Sequence, residues 1–221
     1  MRRLARFCRD KKPARWGAPS PGARALQALV ARLDTLLSMR QADCKRLTVA
    51  HSPVADSVRS VIADLDEAIA QVKAQLTRTI DDDPHLKSRA GLLKTIPGLG
   101  DQTIAQWLAC IGRPERFKSV KALIACASPT PLIRQSGTSL NKHRGTHPMG
   151  RQERKRVLYF PAMVAGRYNP MGARFWARLK AQNKPGKAIV VACTHKLLAI
   201  AYGMLRSRKP SDANHQKSAA A

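Results

Sequence analysis

The chain has 221 residues and a mass of 24.3 kDa, enough for one or two domains with a buried core. Its 40 basic and 14 acidic side chains leave a formal charge of +26, which excludes an ordinary metabolic enzyme and points to a polyanion, nucleic acid ahead of an anionic membrane surface. A hydrophobic content of 44% excludes a disordered basic tail, and 5% aromatic residues exclude a stacking platform as the main mode of recognition.

Residues 1–19 read as a leader broken by Lys11-Lys12-Pro13 and Gly17-Ala18-Pro19-Ser20-Pro21, since proline lacks a donor and restricts the residue before it. Its basic start, Met1-Arg2-Arg3-Leu4-Ala5-Arg6-Phe7-Cys8-Arg9, lacks the apolar segment of a secretory signal. Ser20 then caps a helix with Pro21 in its first turn. The apolar stripe of that helix, residues 26, 29, 30, 33, 36, 37 and more weakly 44 and 47, runs to about Ala50. After His51-Ser52-Pro53 a second stripe keeps heptad spacing through Val54, Val58, Val61, Leu65, Ile69, Val72, Leu76 and Ile80. Two such helices bury their stripes on each other or on a second copy. Residues 20–82 therefore predict a long antiparallel helical hairpin, a coiled coil suited to homo-oligomer formation.

Asp81-Asp82-Asp83-Pro84 ends the hairpin and caps the next helix, where carboxylates suit the helix dipole; as a metal site the triplet lacks further ligands. From 83 to 209 short helices alternate with Gly and Pro, near 86–95, 101–111, 119–127, 151–166, 171–182 and 187–206. Residues 128–150 have no amphipathic period and many turn formers, which predicts an irregular segment long enough to be functional. Trp107, Phe175 and Trp176 lie on apolar stripes and read as core, and Asn169-Pro170 reads as a helix cap. Residues 210–221 read as a disordered tail. The fold class is mainly α: the hairpin, then a helical domain.

No apolar run approaches the roughly 18 to 20 residues of a membrane span. The five cysteines, 8, 44, 110, 126 and 193, are odd in number and form no C-x-x-C pair, against both a disulfide framework and a zinc site. Cys110 and Cys126 stand in apolar surroundings and read as buried thiols in a reducing, cytoplasmic protein. Residues 1–112 hold 18 basic and 11 acidic side chains, whereas residues 113–221 hold 22 basic and only three acidic ones, Glu115, Glu153 and Asp212. A phosphate backbone is expected along the second half.

Two constellations carry possible chemistry. In Leu92-Leu93-Lys94-Thr95-Ile96-Pro97-Gly98-Leu99-Gly100-Asp101-Gln102-Thr103-Ile104-Ala105 an apolar helix runs through a glycine turn into a second helix, resembling the helix-hairpin-helix motif of DNA repair and recombination proteins. The glycines permit a tight turn, and the following helix N-terminus offers free N–H groups to a phosphate oxygen without reading bases. Lys94, Gly98 and Gly100 are the candidate contacts, and a plain inter-helix turn is the alternative. In Arg134-Gln135-Ser136-Gly137-Thr138-Ser139, Ser136 has the chemistry of a nucleophile toward a phosphodiester if a base or metal activates it and Arg134 holds the phosphate. A Ser-Gly pair is also an ordinary turn. Arg151, Arg154, Lys155 and Arg156 enter the next helix as candidate backbone contacts, joined by Lys184, Lys187 and Lys196. His143 and His147 lack a third ligand and read as solvated.

The order Ile96-Pro97-Gly98-Leu99-Gly100, Phe117-Lys118-Ser119, Gln135-Ser136-Gly137-Thr138-Ser139, Tyr159-Phe160-Pro161-Ala162, Arg167-Tyr168-Asn169-Pro170 and Lys196-Leu197-Leu198, with Ala201-Tyr202-Gly203, resembles the C-terminal half of a bacterial transposase. The family is the insertion-sequence class numbered one-ten, one-sixteen and nine-oh-two, and the resemblance covers about residues 86–209. Trp16 with its prolines and Leu29-Val30-Ala31-Arg32 resemble the segment that precedes that half.

The resemblance implies a serine nucleophile at Ser136 beside Gly137, DNA as substrate, a structured guide RNA as further partner, action as an oligomer, and no role for a membrane. It implies Mg2+ only for an N-terminal acidic domain that has no counterpart in these residues. No metal or cofactor is expected on this chain, which is expected to be a truncated transposase unable to complete strand exchange alone. Where the family has a Ser-Lys-x-Gly-Asn turn, the chain reads His147-Pro148-Met149-Gly150-Arg151, keeping the glycine and losing the lysine and asparagine. Without the resemblance, the residues fit a non-catalytic nucleic-acid-binding module or a basic RNA-binding structural protein.

Overall fold

The computed structural model describes residues 2–12, 17–112, 114–127, 131–136, 140–146 and 152–210, with the backbone alone between 131 and 157. Its first element, α1 (Arg2–Lys11), is a helix inside the expected leader. Leu4, Phe7 and Cys8 recur along it at helical spacing, and its described side chains are exposed.

Helix α2 (Pro21–Leu47) begins where the Ser20 hydroxyl oxygen accepts from the Ala23 N–H at 3.2 Å, with Pro21 as its first residue. Four residues later α3 (Ser52–Asp82) begins, and these two helices share the most extensive helix–helix contact of the fold. Leu26, Val30, Leu33 and Leu36 of α2 are buried with Leu65, Ile69 and Leu76 of α3. The Arg40 guanidinium grips both carboxylate oxygens of Asp66 across the pair. Toward the 48–51 connection the seam fails: Val54 and Val61 are exposed, as are Met39 and Val49. A strict seven-residue stripe drifts around a straight helix by roughly 20° per heptad, so its far end leaves the partner.

Asp83 starts α4 (Pro84–Lys94) by accepting from the N–H groups of His85 and Leu86. Helix α5 (Asp101–Ile111) docks on α2, where the Gln27 amide donates to the Ala109 carbonyl at 3.0 Å and the Gln106 amide to Asp34 at 3.1 Å. Trp107 is buried at this junction, in the core as expected. A 3-10 turn (Pro114–Arg116) and α6 (Val120–Ala127) lead to strands β1 (Pro131–Ser136) and β2 (Leu140–Thr146), an antiparallel pair. The expected irregular segment is thus largely a regular ribbon. Its residues do not alternate apolar with polar, so the period of two that announces a strand is missing from the sequence.

Helices α7 (Gln152–Tyr168), α8 (Pro170–Ala181) and α9 (Gly186–Ser207) complete the described fold. Asn169 caps α8 by accepting from the Met171 and Gly172 N–H groups. Helices α7 and α8 approach at glycines: a Cβ on Gly172 would lie 2.3 Å from the Ala165 carbonyl oxygen, and one on Gly166 2.6 Å from the Trp176 ring. Phe175 and Trp176 are half-buried against a cluster of Ala162, Ile189, Val190 and Cys193. Contrary to the expectation drawn from uninterrupted runs, α9 is long and apolar enough by composition to cross a membrane. More than half of that stretch is buried, and Leu197, Leu198, Ala201 and Tyr202 join the main core. The Tyr202 hydroxyl donates to the Phe117 carbonyl at 2.9 Å and accepts from Arg206 at 3.0 Å. Cys110 and Cys126 are half-buried rather than buried; Cys193 is the buried thiol, and burial pushes its pKa up.

Candidate nucleic-acid interface

The turn between α4 and α5 is anchored by the buried side chains of Ile96 and Leu99. Gly98 adopts φ +93°, in the left-handed region that favours glycine. A Cβ there would sit 3.2 Å from the Val164 side chain and 3.5 Å from the Ala165 nitrogen, so this glycine lets the turn lie against α7. Gly100 differs: its φ of −85° suits any residue, and the space a Cβ would fill is open. As the N-cap of α5 it supplies no side-chain oxygen to the first N–H groups of the helix. That leaves the end of α5 free of a side-chain cap, as a phosphate contact requires.

The same end carries a carboxylate. Asp101, in the first turn of α5, accepts from Lys94 at 2.9 Å, and both groups are exposed. The hydrogen bond to Asp101 raises the lysine pKa above its ordinary value. Lys94, expected as a phosphate contact, is therefore an ion-paired cation. Beside it a cavity of about 490 Å³ opens between α3, α4 and α5, with Leu76, Ile80 and Ile104 on its walls and Lys73, Lys94 and Asp101 among its polar groups. Sequence spacing gave no sign of this pairing or of the cavity, because both depend on how α3 meets α4 and α5.

Ser136 is the last residue of β1 and stands opposite Leu140. Arg134 stands opposite Lys142 and Leu132 opposite Arg144. Since alternate residues of a strand share a face, Arg134, Ser136, Lys142 and Arg144 occupy one face of the ribbon, while Gln135, Asn141 and His143 occupy the other. Arg154 and Arg156 lie in the first turns of α7. Gly137 and Arg151 lie outside the described residues, as does His147. Lys184, just before α9, and Lys187, in its first turn, are exposed, and Lys196 is half-buried within the helix. Among the described residues no group of three or more His, Cys, Asp or Glu side chains is placed to hold a metal ion.

The comparisons with known proteins bear on the same stretch. The chain is 31% identical over 215 residues to the pilin gene-inverting proteins of Moraxella bovis and of Moraxella lacunata, covering 95% of its own length and 65% of theirs. It thus spans just under two thirds of these curated relatives. It is also 22% identical over 153 residues to the insertion element IS110 uncharacterized 43.6 kDa protein of Streptomyces coelicolor (strain ATCC BAA-471 / A3(2) / M145), covering 69% of the chain and 36% of that protein. Residues 90–177, from α4 through the turn, the ribbon and α7 into α8, match the family described as Transposase IS116/IS110/IS902. The similarity to this transposase family thus lies on residues 90–177.

Proposed function

We propose that this chain acts in DNA recombination, with Ser136 as the nucleophile toward a DNA phosphodiester and the cationic domain around it as the nucleic-acid-binding surface. The observation that carries this reading is the family match over 90–177, which spans the α4–α5 turn and the serine ribbon together. The strand register supports it, since Ser136 shares its face with Arg134, Lys142 and Arg144, the residue types that hold a phosphate and stabilise its developing charge. In the reaction the serine oxygen bonds to phosphorus as a phosphorus–oxygen ester bond breaks. The hydroxyl proton passes to a base and the departing sugar oxygen takes up a proton. Reversal by another sugar hydroxyl frees the serine and joins a new strand.

On this reading Arg134, Gly137, Arg151, Arg154 and Arg156 contact the DNA around the serine, and the α4–α5 turn binds phosphate in the manner of a helix-hairpin-helix, with Gly100 and Lys94 nearest the strand. The α2–α3 pair serves as a coiled-coil arm joining copies of the chain, and a structured RNA is a second ligand of the basic face. The divalent metal implied by the family is held by carboxylates outside these residues, so strand exchange is not expected from the 221 residues by themselves.

The test is a trapped adduct. The chain, incubated with radiolabelled target DNA and resolved under denaturing conditions, is expected to carry label through a bond that Ser136→Ala abolishes while DNA affinity stays within about twofold. DNA binding without an adduct from the parent chain, even when carboxylate-bearing portions of a relative are added with Mg2+, would support the non-catalytic binding module instead.

A further inference from the structure

From Val157 to Tyr168 helix α7 carries apolar or small residues on every side, with Arg167 as the one charge. Leu158, Ala162 and Ala165 are buried along one side. The opposite side exposes Tyr159, Phe160 (71%), Met163, Val164 and Tyr168 (69%), with Arg167 exposed among them. At 100° per residue these six positions form one continuous arc. A helix apolar on every side normally has both sides covered. The whole chain has three Trp, three Tyr and four Phe, and this arc gathers three of those ten rings in solvent. Tyr159 and Phe160 meet edge to face at 5.7 Å, which leaves a face of Phe160 open.

The surroundings select the occupant. No Asp or Glu occurs between Glu153 and Asp212, so α7 from Arg154 onward and all of α8 and α9 carry cations without a single carboxylate. The middle of the arc, at Val164, touches the Gly98 turn, which leads into α5. Open aromatic faces among cations suit bases that are unstacked, with the connecting phosphates neutralised alongside. A duplex hides its base faces and gains nothing from such an arc.

We infer that the outer face of α7 is a stacking platform for single-stranded nucleic acid, with Phe160 and Tyr168 as the ring contacts, Tyr159 supporting Phe160, and Arg167 at the phosphates. The inference rests on the nucleic-acid reading above and specifies the form of ligand. Low aromatic content still excludes stacking as the main source of affinity over the whole surface; this platform adds a local preference for unpaired strand.

The test compares a short single-stranded oligonucleotide carrying 2-aminopurine with a blunt duplex of the same sequence, each titrated with the full chain. Phe160→Ala and Tyr168→Ala are each expected to weaken single-strand binding about five- to 100-fold, and duplex binding by less than about twofold. Phe160→Leu keeps an apolar side chain but no ring and should lose as much as Phe160→Ala, whereas Phe160→Trp should retain the affinity. Equal losses on single strand and duplex overturn the platform, as does unchanged single-strand binding. Unchanged binding together with a change in sedimentation from an assembly to a single chain assigns the face to a second copy instead. A parent chain that binds neither ligand overturns the nucleic-acid reading itself, and the platform with it.

Discussion

The α2–α3 pair and the domain that follows it solve the same packing problem with different chemistry. Residues 20–82 contain eight basic and eight acidic side chains, a net charge of zero, while residues 83–209 contain 24 basic and four acidic ones, a net of +20. On the pair, charges answer one another locally, Arg40 with Asp66, Arg46 with Asp43 and Arg59 with Asp56. In residues 83–209 four carboxylates stand against 24 cations. The interfaces differ in the same sense. The pair is joined by large leucine and isoleucine side chains, which tolerate small adjustments, while α7 and α8 meet at glycines, Gly172 against the Ala165 backbone and Gly166 against the Trp176 ring. The α2–α3 pair is neutral and joined by adjustable side chains, whereas α7 and α8 approach too closely at Gly172 to adjust.

Gly172→Ala is the sharpest way to break that contrast. The added carbon would sit 2.3 Å from a backbone carbonyl oxygen that cannot swing aside, so α7 and α8 must separate. A destabilisation of about 3 kcal/mol or more is expected, from overpacking together with loss of the neighbouring contacts. Ile69→Val in the arm removes one buried carbon and should cost about 0.5–1.5 kcal/mol. Urea titrations of both variants measure this directly, and a Gly172→Ala loss no larger than that of Ile69→Val would show the α7–α8 contact to be as adjustable as the leucine seam.

The contrast was half legible in the amino-acid sequence. Ser20, Asp83 and Asn169 announced their helices because a cap is a local interaction among residues two or three apart. The leucine stripe of α2 was legible for the same reason, its period being a property of one helix. The exposed Val54 and Val61 were not, since they depend on where the partner ends. Nor were the glycine contacts of α7 and α8, or the ion pair of Lys94 with Asp101, which arise only when separate elements meet. The ribbon escaped because Gln135, Asn141, Lys142 and His143 do not alternate with apolar residues and a ladder of backbone bonds does not require it. Ser136 was picked out by chemistry and resemblance; that Lys142 and Arg144 fall on its face of the ribbon needed the register.

Charge sharpens the comparison next. Replacing Lys184 and Lys187 together by glutamine should reduce the slope of log K against log salt by about one to two on duplex DNA, since each phosphate contact contributes about 0.9. Arg46→Gln with Arg59→Gln in the arm removes the same charge and should leave the slope unchanged, because those cations are already answered by Asp43 and Asp56. Asp101→Asn should raise affinity a fewfold by releasing Lys94 and removing a carboxylate from the end of α5. Equal slopes for arm and domain variants would mean that net charge, not its placement, governs binding.

A smaller effect, of opposite sign to Gly172→Ala, is expected where a domain glycine has room. Gly203 lies inside α9 with open space where its Cβ would be. Gly203→Ala should stabilise the chain by about 0.5–1 kcal/mol, through the lower entropy of the unfolded chain and better helix propensity. A measured loss would mean that a second copy packs against Gly203 in solution.

The least effect is expected at the ion pair that spans the arm. The hydrogen bond from Arg40 holds the Asp66 carboxyl below its ordinary pKa and raises that of the guanidinium. A carboxylate depressed in the folded state stabilises fully above its unfolded value, near 3.9, and loses that contribution as pH falls through the lower folded value. Asp66→Asn should therefore melt slightly below the parent at neutral pH, and the two melting curves should converge in acid. Both partners are exposed, so added salt should shrink the neutral-pH difference as well. A difference that persists in strong acid or high salt would mean Asp66 acts through shape rather than charge. Convergence would leave the buried leucines as the source of the arm's cohesion, consistent with a region whose charges cancel.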